Sequence, residues 1–438
     1  MLIPELHGIK RTVESKATQT KVMNLASAIN ESTVKSIHKR TDGKKAVGVD
    51  GVTKQEYEVH FEENIENLLR RMKNGSYKPN PSRRTYIDKP GSTKKRPLGI
   101  SCYEDKLVEK NVAQILEAVY DPRFLNCSYG FRPERNCHQA IREVVEMIQY
   151  RKINYVVEAD IRSFFDTLNH EWLIKFLEHD IADRKFIGII RKLLKAGVME
   201  DGKLWIKEEG SPQGGGASAA LANIYLHYVL DIWFEKVVKR QCRGEAYLIR
   251  YADDFVCCFQ HKDEAEHFYT ALNARMAKFG LELAQEKTRI LEFGRFAAEN
   301  RKARGERKPE TFCFLGFTFY CTTDSRKKFF RVKVKTDRKK FISKLKKLNI
   351  WLKEHRHLAV KEIMKRINQG LRGHYQYYGV TDNTRSLERF ADLVKGLLYK
   401  WLNRRSQRRS YSWEIFNSRI LMIFPLVKPA ITVSLFYR

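Results

Sequence analysis

An α/β or α+β sheet domain followed by a helical domain is the fold that this 438-residue sequence predicts. Two observations carry the prediction. Between residues 83 and 320, short β-branched and aromatic runs interleave with stretches of helical periodicity, as when strands pack against helices. Beyond residue 335 the texture changes to helical spacing with clustered lysines. The length fits roughly two to four packed units. Hydrophobic residues make up 43%, enough for a large core and too many for wholesale disorder.

Taken in order, residues 1–80 read as helical and charged. Ala26 to Ile37 and Tyr57 to Met72 carry apolar residues at helical spacing, for example Phe61, Ile65, Leu68 and Leu69. Between them, Gly48-Val49-Asp50-Gly51-Val52-Thr53 reads as a glycine-flanked turn. Residues 83–100 predict a hairpin: Arg84-Thr85-Tyr86-Ile87, a Pro90-Gly91-Ser92 turn, then a basic return into Pro97-Leu98-Gly99-Ile100. Amphipathic helices are expected over 104–120 and 137–151, and a buried strand over Tyr155 to Asp160. Asn169 is placed to cap a helix from Glu171 to Leu177. Residues 218–240 predict one long apolar helix, and Tyr247 to Phe259 alternates like a hairpin around Tyr251-Ala252-Asp253-Asp254. A helix over 263–279 and a strand pair over 290–293 and 312–320 follow, with a polar, basic break at 295–308. A domain boundary is expected near 325–335. After it, Phe341, Leu345, Leu348 and Leu352 form an apolar stripe among Lys339, Lys340, Lys344, Lys346 and Lys347.

Charge gives the first functional pointer. The chain carries 82 Lys and Arg against 52 Asp and Glu, a net +30. Such a surface repels itself unless a polyanion neutralises part of it. Nucleic acid does so, because each neutralised phosphate releases counterions. The lysine cluster at 339–347 is one patch of almost a single sign, and Arg404-Arg405-Ser406-Gln407-Arg408-Arg409 is a second. Tyr375, Tyr377, Tyr378 and Trp401 could stack on unpaired bases, although aromatics at helical spacing are more often core. His355, His357 and His374 lack the spacing of a metal site and read as RNA-facing or structural. Eight cysteines form no Cys-x-x-Cys pair. Zinc-stapled modules are therefore unsupported, and a reduced intracellular protein fits better than a disulfide scaffold. No secretory signal pattern follows Met1, and no run of about 18 apolar residues could span a membrane.

The acidic residues give the second pointer. Asp160 ends a β-branched strand, and Tyr251-Ala252-Asp253-Asp254 lies between apolar strand halves. A solvated turn would not need apolar flanks, and a carboxylate at a strand edge is costly unless something pairs with it. Asp160 and Asp253 side by side would hold two Mg²⁺ ions about 3.5–4 Å apart, one activating a 3′-hydroxyl and the other neutralising a triphosphate. An all-oxygen donor set suits Mg²⁺ and not zinc.

With Asp160, the Tyr251–Asp254 tetrapeptide resembles the catalytic set of reverse transcriptases. More of the chain resembles one branch, the group II intron-encoded reverse transcriptase/maturases. Gly48 to Thr53 looks like their N-terminal extension motif. Lys95-Arg96-Pro97-Leu98-Gly99-Ile100 with Glu104-Asp105-Lys106 looks like the first finger block, and Ser128-Tyr129-Gly130-Phe131-Arg132-Pro133 like the second. Ser211-Pro212-Gln213-Gly214-Gly215 with Leu221 to Leu226 looks like the fourth. Gly280 to Thr288, Phe314-Leu315-Gly316-Phe317 and Gly373-His374-Tyr375-Gln376-Tyr377-Tyr378-Gly379 follow in the family's order. The resemblance covers residues 40–435.

It implies an α+β right-hand polymerase: fingers and palm with an antiparallel sheet over 1–325, including an N-terminal extension over 1–80, then an all-α thumb/maturase (X) domain over 326–438. Asp160, Asp253 and Asp254 would be catalytic, and with Ile161 they would hold two Mg²⁺, Mn²⁺ being a substitute. The deoxynucleotide (dNTP) would meet Arg84, Lys89, Arg96, Phe164, Phe165 and Gln213, with Lys287 assisting the departing pyrophosphate as an acid. Lys339, Lys340, Lys344, Lys347, Arg372, His374, Tyr375, Arg404, Arg405 and Arg408 would face RNA or DNA. The implied partners are group II intron RNA in a ribonucleoprotein, an RNA template with a DNA primer or target DNA, and dNTPs, with no membrane. The implied place is the bacterial cytoplasm, on the nucleoid when target DNA is bound. The sixty or so residues after the Tyr-rich motif leave no room for a DNA-binding tail plus an endonuclease. Second-strand cleavage is therefore not expected. Two departures stand out. Gly216-Ala217-Ser218-Ala219-Ala220 replaces the family's common Val-Ile-Ser-Pro-Leu, and Ile87-Asp88-Lys89 replaces Ile-Pro-Lys. Rival readings are a splicing-only RNA-binding maturase and a host-adopted, CRISPR-linked or defence polymerase.

Overall fold

A computed structural model describes residues 4–15, 21–88, 95–206, 208–210, 214–324, 329–405 and 410–436. The chain divides into two compact units. One comprises residues 1–89, 93–140 and 157–290, the other residues 90–92, 141–156 and 291–438.

In the first unit, strands β1 (Ser82–Asp88) and β2 (Lys95–Ile100) form the expected antiparallel hairpin, with Arg84 opposite Gly99 and Asp88 opposite Lys95. Its turn lies outside the described residues. β3 (Tyr155–Ala159) is the buried strand read from its β-branched run. Two short strands went unread, β4 (Val198–Glu200) and β5 (Lys203–Trp205), which extend the hairpin into a sheet of order β2-β1-β4-β5. β4 runs parallel to β1, pairing Ser82 with Val198. The helix Tyr103–Tyr120 buries Leu107, Val108, Val112, Ile115, Leu116 and Val119 in the core. The turn motif at 48–53 ends in Thr53, which caps the helix Lys54–Val59 in a reciprocal box with Glu56. The long apolar helix runs from Ser218 to Gln241 with two π-helical stretches, His227–Asp231 and Phe234–Val238. Such bulges are frequent at functional sites.

β6 (Ala246–Tyr251) and β7 (Asp254–Phe259) form the second expected hairpin, pairing Tyr251 with Asp254. With β8 (Arg289–Glu292) they build a sheet of order β6-β7-β3-β8. This order sets β3 directly beside β7.

In the second unit, β9 (Phe312–Phe314), β10 (Phe317–Thr323) and β11 (Phe330–Thr336) make an antiparallel sheet. β11 corrects the expectation of an all-helical segment from 326. Val332, Val334 and Thr336 alternate inward, so the helices begin only at Arg338. The helices Arg338–His355, Val360–Tyr378 and Thr384–Leu402 follow. Asn383, 1% exposed, joins them to the sheet. Its Oδ1 accepts the Thr336 N–H at 2.9 Å, and its Nδ2 donates to Thr336 Oγ1 (2.9 Å) and to the Tyr378 carbonyl (2.8 Å). Among the described residues no helix is long and apolar enough to cross a membrane.

Asn383→Ala strands the Thr336 N–H in the interior, while the Tyr378 carbonyl keeps the Val380 N–H at 2.8 Å. It should lower stability by about 1–3 kcal/mol in a urea melt, the cost of one unsatisfied buried group.

Candidate active site

The site is built on a strained two-residue turn. Tyr251 and Asp254 close the β6–β7 hairpin, and Ala252 between them sits at φ +57°. That left-handed conformation costs a non-glycine residue about 1–2 kcal/mol, so the surroundings must impose it. Arg250 does this. Its side chain is 0% exposed, and all five of its N–H donors are bonded. Nε and one Nη2 hydrogen go to Asp231 Oδ1 (2.7 Å) and Oδ2 (2.6 Å). The other Nη2 hydrogen goes to Ser128 Oγ at 2.8 Å. Nη1 donates to Asn223 Oδ1 and to the Ala252 carbonyl, both at 3.0 Å. Burial alone would favour a neutral guanidinium, but Asp231, itself 0% exposed, raises the Arg250 pKa and keeps it charged.

Two backbone bonds fix the segment around Ser128 on β6: the Tyr129 N–H to the Arg250 carbonyl and the Arg250 N–H to the Cys127 carbonyl, both 2.8 Å. Asn223 Nδ2 holds the Gly130 carbonyl at 2.7 Å. A Cβ on Gly130 would lie 2.3 Å from the Ala252 nitrogen, so only glycine lets this segment touch the turn. Ser128, Asn223, Asp231 and Arg250 were not singled out from sequence. The signal was present, because two of them lie in the quoted motifs and Arg250 precedes the tetrapeptide.

Asp160 follows β3 and stands beside this turn. Its Oδ2 accepts from Lys287 Nζ, and its side chain is 25% exposed. Asp253 is half-buried. Its pKa is raised, first by burial and then by the Asp160 charge, while its own backbone N–H, Arg96 and Arg250 pull the other way. The Lys287 pKa is raised by its hydrogen bond to Asp160, with smaller contributions from Glu286 and Asp254. The structure therefore brings Asp160, Asp253, Asp254, Arg96 and Lys287 into one electrostatic neighbourhood.

Ile161 is buried and bridges Leu283. The bonds flanking that bridge, Arg162 N–H to Glu282 O and Ala284 N–H to Asp160 O, both 2.8 Å, leave the Ile161 carbonyl outside the pairing. Phe164 is core at 2% exposure, edge-on to a half-buried Phe165 at 5.5 Å, so of the two rings Phe165 keeps exposed surface.

Arg84 is engaged elsewhere. It lies 3.7 Å from Glu200 of β4, which also accepts from the Tyr86 hydroxyl. Lys89, Gln213 and Arg408 lie outside the described residues. In the second unit Lys339, Lys340, Lys347, Arg372 and Arg404 are exposed. Lys344 turns its ammonium towards His374 Nδ1 at 3.2 Å. His374 and Tyr375 correct the expectation that they face RNA. At 0% and 3% exposure they offer no surface, because that side of their helix packs inward and His374 stacks on Phe390 at 3.8 Å. Burial, then Lys344, pushes the His374 pKa down to about 3. Arg405 donates to the Arg356 and Leu358 carbonyls and so closes the end of the Arg338–His355 helix.

Among the described residues no three His, Cys, Asp or Glu side chains form a ready-made metal cage. The donor chemistry nevertheless fits a hard divalent cation. Two carboxylates share one field, a backbone carbonyl adjoins them, and burial and a like charge raise the pKa of the acid at the turn, a penalty that a cation would relieve.

Comparison with known proteins agrees with this geometry. Residues 87–319 match the family model described as "Reverse transcriptase (RNA-dependent DNA polymerase)", and residues 338–418 match "Group II intron, maturase-specific domain". The chain is similar to the group II intron-encoded protein LtrA of Lactococcus lactis subsp. cremoris, 40% identical over 183 residues, which are 42% of this chain and 30% of that protein. It is also similar to protein YkfC of Escherichia coli K12, 34% identical over 206 residues (46% of this chain, 54% of that one). An uncharacterised 91 kDa protein in the cob intron of Schizosaccharomyces pombe is 39% identical over 173 residues (40% and 21%). The matched segments thus span less than two thirds of each relative.

Two outcomes are expected. Asp231→Ala strands a buried guanidinium and should cost about 3–5 kcal/mol in a denaturant melt. Asp253→Asn should raise the melting temperature at pH 7 without divalent cation. A carboxyl with a raised folded-state pKa costs nothing below its ordinary range and its full penalty above the raised value. The stabilisation should therefore vanish as the pH falls below about 4.

Proposed function

The chain belongs to the reverse transcriptase (RNA-dependent DNA polymerase) family, and we propose that it is an RNA-directed DNA polymerase of a group II intron that also binds the intron RNA. The observation that carries the proposal is Asp160 beside the braced Asp253–Asp254 turn, with the carboxylates in one field and Lys287 on Asp160. In this reading the β1–β2 hairpin belongs to the fingers, the β6-β7-β3-β8 sheet to the palm, and the helices from Arg338 to the thumb.

Asp160, Asp253, Asp254 and the Ile161 carbonyl would hold two Mg²⁺ ions, which when bound supply Lewis-acid activation of a 3′-hydroxyl and charge neutralisation at the triphosphate. The chain's own residues do the rest. The Arg250 hub fixes the turn, so the carboxylates need no reorganisation when substrate arrives. Arg96 brings positive charge to the side where phosphates would gather. Lys287, held at the site by Asp160, is within reach to give a proton to a departing pyrophosphate. Phe165 presents the ring that would line the sugar. Lys339, Lys340, Lys347, Arg372 and Arg404 supply an exposed basic surface for RNA and the template–primer duplex. Splicing assistance would then draw on binding energy, and target-primed insertion on the polymerase.

The test is primer extension on an RNA template with dNTPs and Mg²⁺, comparing wild type with Asp253→Ala. Extension by the wild type that disappears in the variant is expected. Failure of both, with salt-sensitive RNA binding intact, would favour the splicing-only reading.

A further inference from the structure

His355 and His357 stand out in the sequence and take no part in the polymerase chemistry. The structure sets them in a row of rings at the end of the Arg338–His355 helix. Trp351 and His355, one turn apart, stack at 4.7 Å and 12°. His355 and His357 lie near-parallel, at 6.4 Å and 19°. Both distances fall within the range of offset-stacked rings, about 4.5–7 Å. A hydrogen bond orients the middle ring, as His355 Nδ1 donates to the Trp351 carbonyl at 2.9 Å. Trp351 and His355 are half-buried, and His357 is exposed. Among the described residues no second ring stacks on His357, so the row ends on an open face.

Cations gather at the same turn. Arg356, between the two histidines, holds its guanidinium 5.8 Å from the centre of the buried Trp401 ring. Lys400 and Arg404 approach that ring at 5.1 and 5.5 Å. Arg405 donates to the Arg356 and Leu358 carbonyls and so fixes the backbone on either side of His357. Four positive charges therefore converge around one turn, and carboxylates do not offset them. Among the described residues from 338 to 405, no Lys or Arg forms an ion pair. Asp382, the acid of this stretch that does, is paired with Lys333 at 3.1 Å. Like charges held this close repel one another unless an anion sits among them.

We propose that this turn holds one unpaired RNA nucleotide, its base stacked on the open face of His357 and its phosphate among Arg356, Lys400 and Arg404. This rests on the RNA-binding reading above and narrows it to a class of strand. Inside a duplex both faces of each base are already covered, whereas an unpaired base has a face to give. Every base has such a face, so the site tolerates sequence. The cations supply affinity for the backbone, and the ring supplies the preference for single strands.

The test is equilibrium binding of the full chain to a fluorescent oligoadenylate and to a duplex RNA of equal length, with melting temperature alongside. His357→Gln removes the ring and keeps a polar side chain. His357→Phe keeps a ring and removes the polar atoms. Loss of one stacked base is worth about fivefold or more. His357→Gln should therefore weaken oligoadenylate binding about fivefold to tenfold and leave duplex binding within about twofold of wild type. His357→Phe should stay within about twofold on both. Arg404→Gln should flatten the salt dependence of oligoadenylate binding by about 0.7 in log–log slope. A His357→Gln variant that melts like wild type with unchanged oligoadenylate affinity overturns the proposal. So does a folded His357→Phe variant as impaired as His357→Gln, because the polar atoms and not the ring face would then make the contact. An unchanged slope in Arg404→Gln overturns the phosphate assignment. Should His357→Gln fail to fold, His357→Phe decides: near-normal affinity supports the proposal and a loss overturns it. A wild type that binds duplex and not oligoadenylate overturns the proposal and leaves the RNA-binding reading standing. A wild type that binds neither overturns that reading as well.

Discussion

One buried guanidinium sets the terms for the first unit. Moving Arg250 out of water without a counter-charge would cost several kcal/mol, so Asp231 must meet it, and the helix carrying Asp231 must pack at that distance from β6. Three donors then remain for Asn223, Ser128 and the Ala252 carbonyl. Lysine could not replace it, because only the planar fork delivers five donors in fixed directions. The strained Ala252 conformation is affordable because one of those donors holds it from inside.

The hub also gives motifs at distant positions a common cause. The Ser128–Gly130 segment pairs with the Arg250 backbone, presents a hydroxyl to the guanidinium and passes against the turn with a bare Cα. Asn223 spans the gap, accepting from Arg250 and donating to the Gly130 carbonyl. A serine, a glycine and an asparagine that look like unrelated signatures are thus parts of one polar network with its members satisfied.

The acidic turn and both hairpins were legible because their signals are local: charge inside an apolar alternation, and a strand period of two. The network was not, because its partners lie 19, 27 and 122 residues from Arg250, and a sequence states no such pairing. β4 and β5 escaped because three residues carry too little periodicity. β11 did alternate, but its lysines and arginines masked the inward Val332 and Val334. His374 and Tyr375 were misplaced because aromatics at helical spacing fit either core or contact surface, and only the packing against Phe390 decides.

Scaffold and site respond differently to their surroundings. The Arg250–Asp231 pair is sealed from solvent, and its guanidinium stays charged at any pH the protein meets. Asp253 sits in the opposite condition: burial, then the charge of its neighbour Asp160, raises its pKa and disfavours its ionised form. Its unfavourable energy cannot relax by moving the turn, because the hub holds the turn in place. It can relax only by a change in charge, through a proton or a cation. Lys287 already supplies one positive charge at Asp160, and its own pKa rises in consequence. A rigid, pH-insensitive frame thus holds Asp253 where a positive charge would relieve it, and that placement is a property of the fold itself.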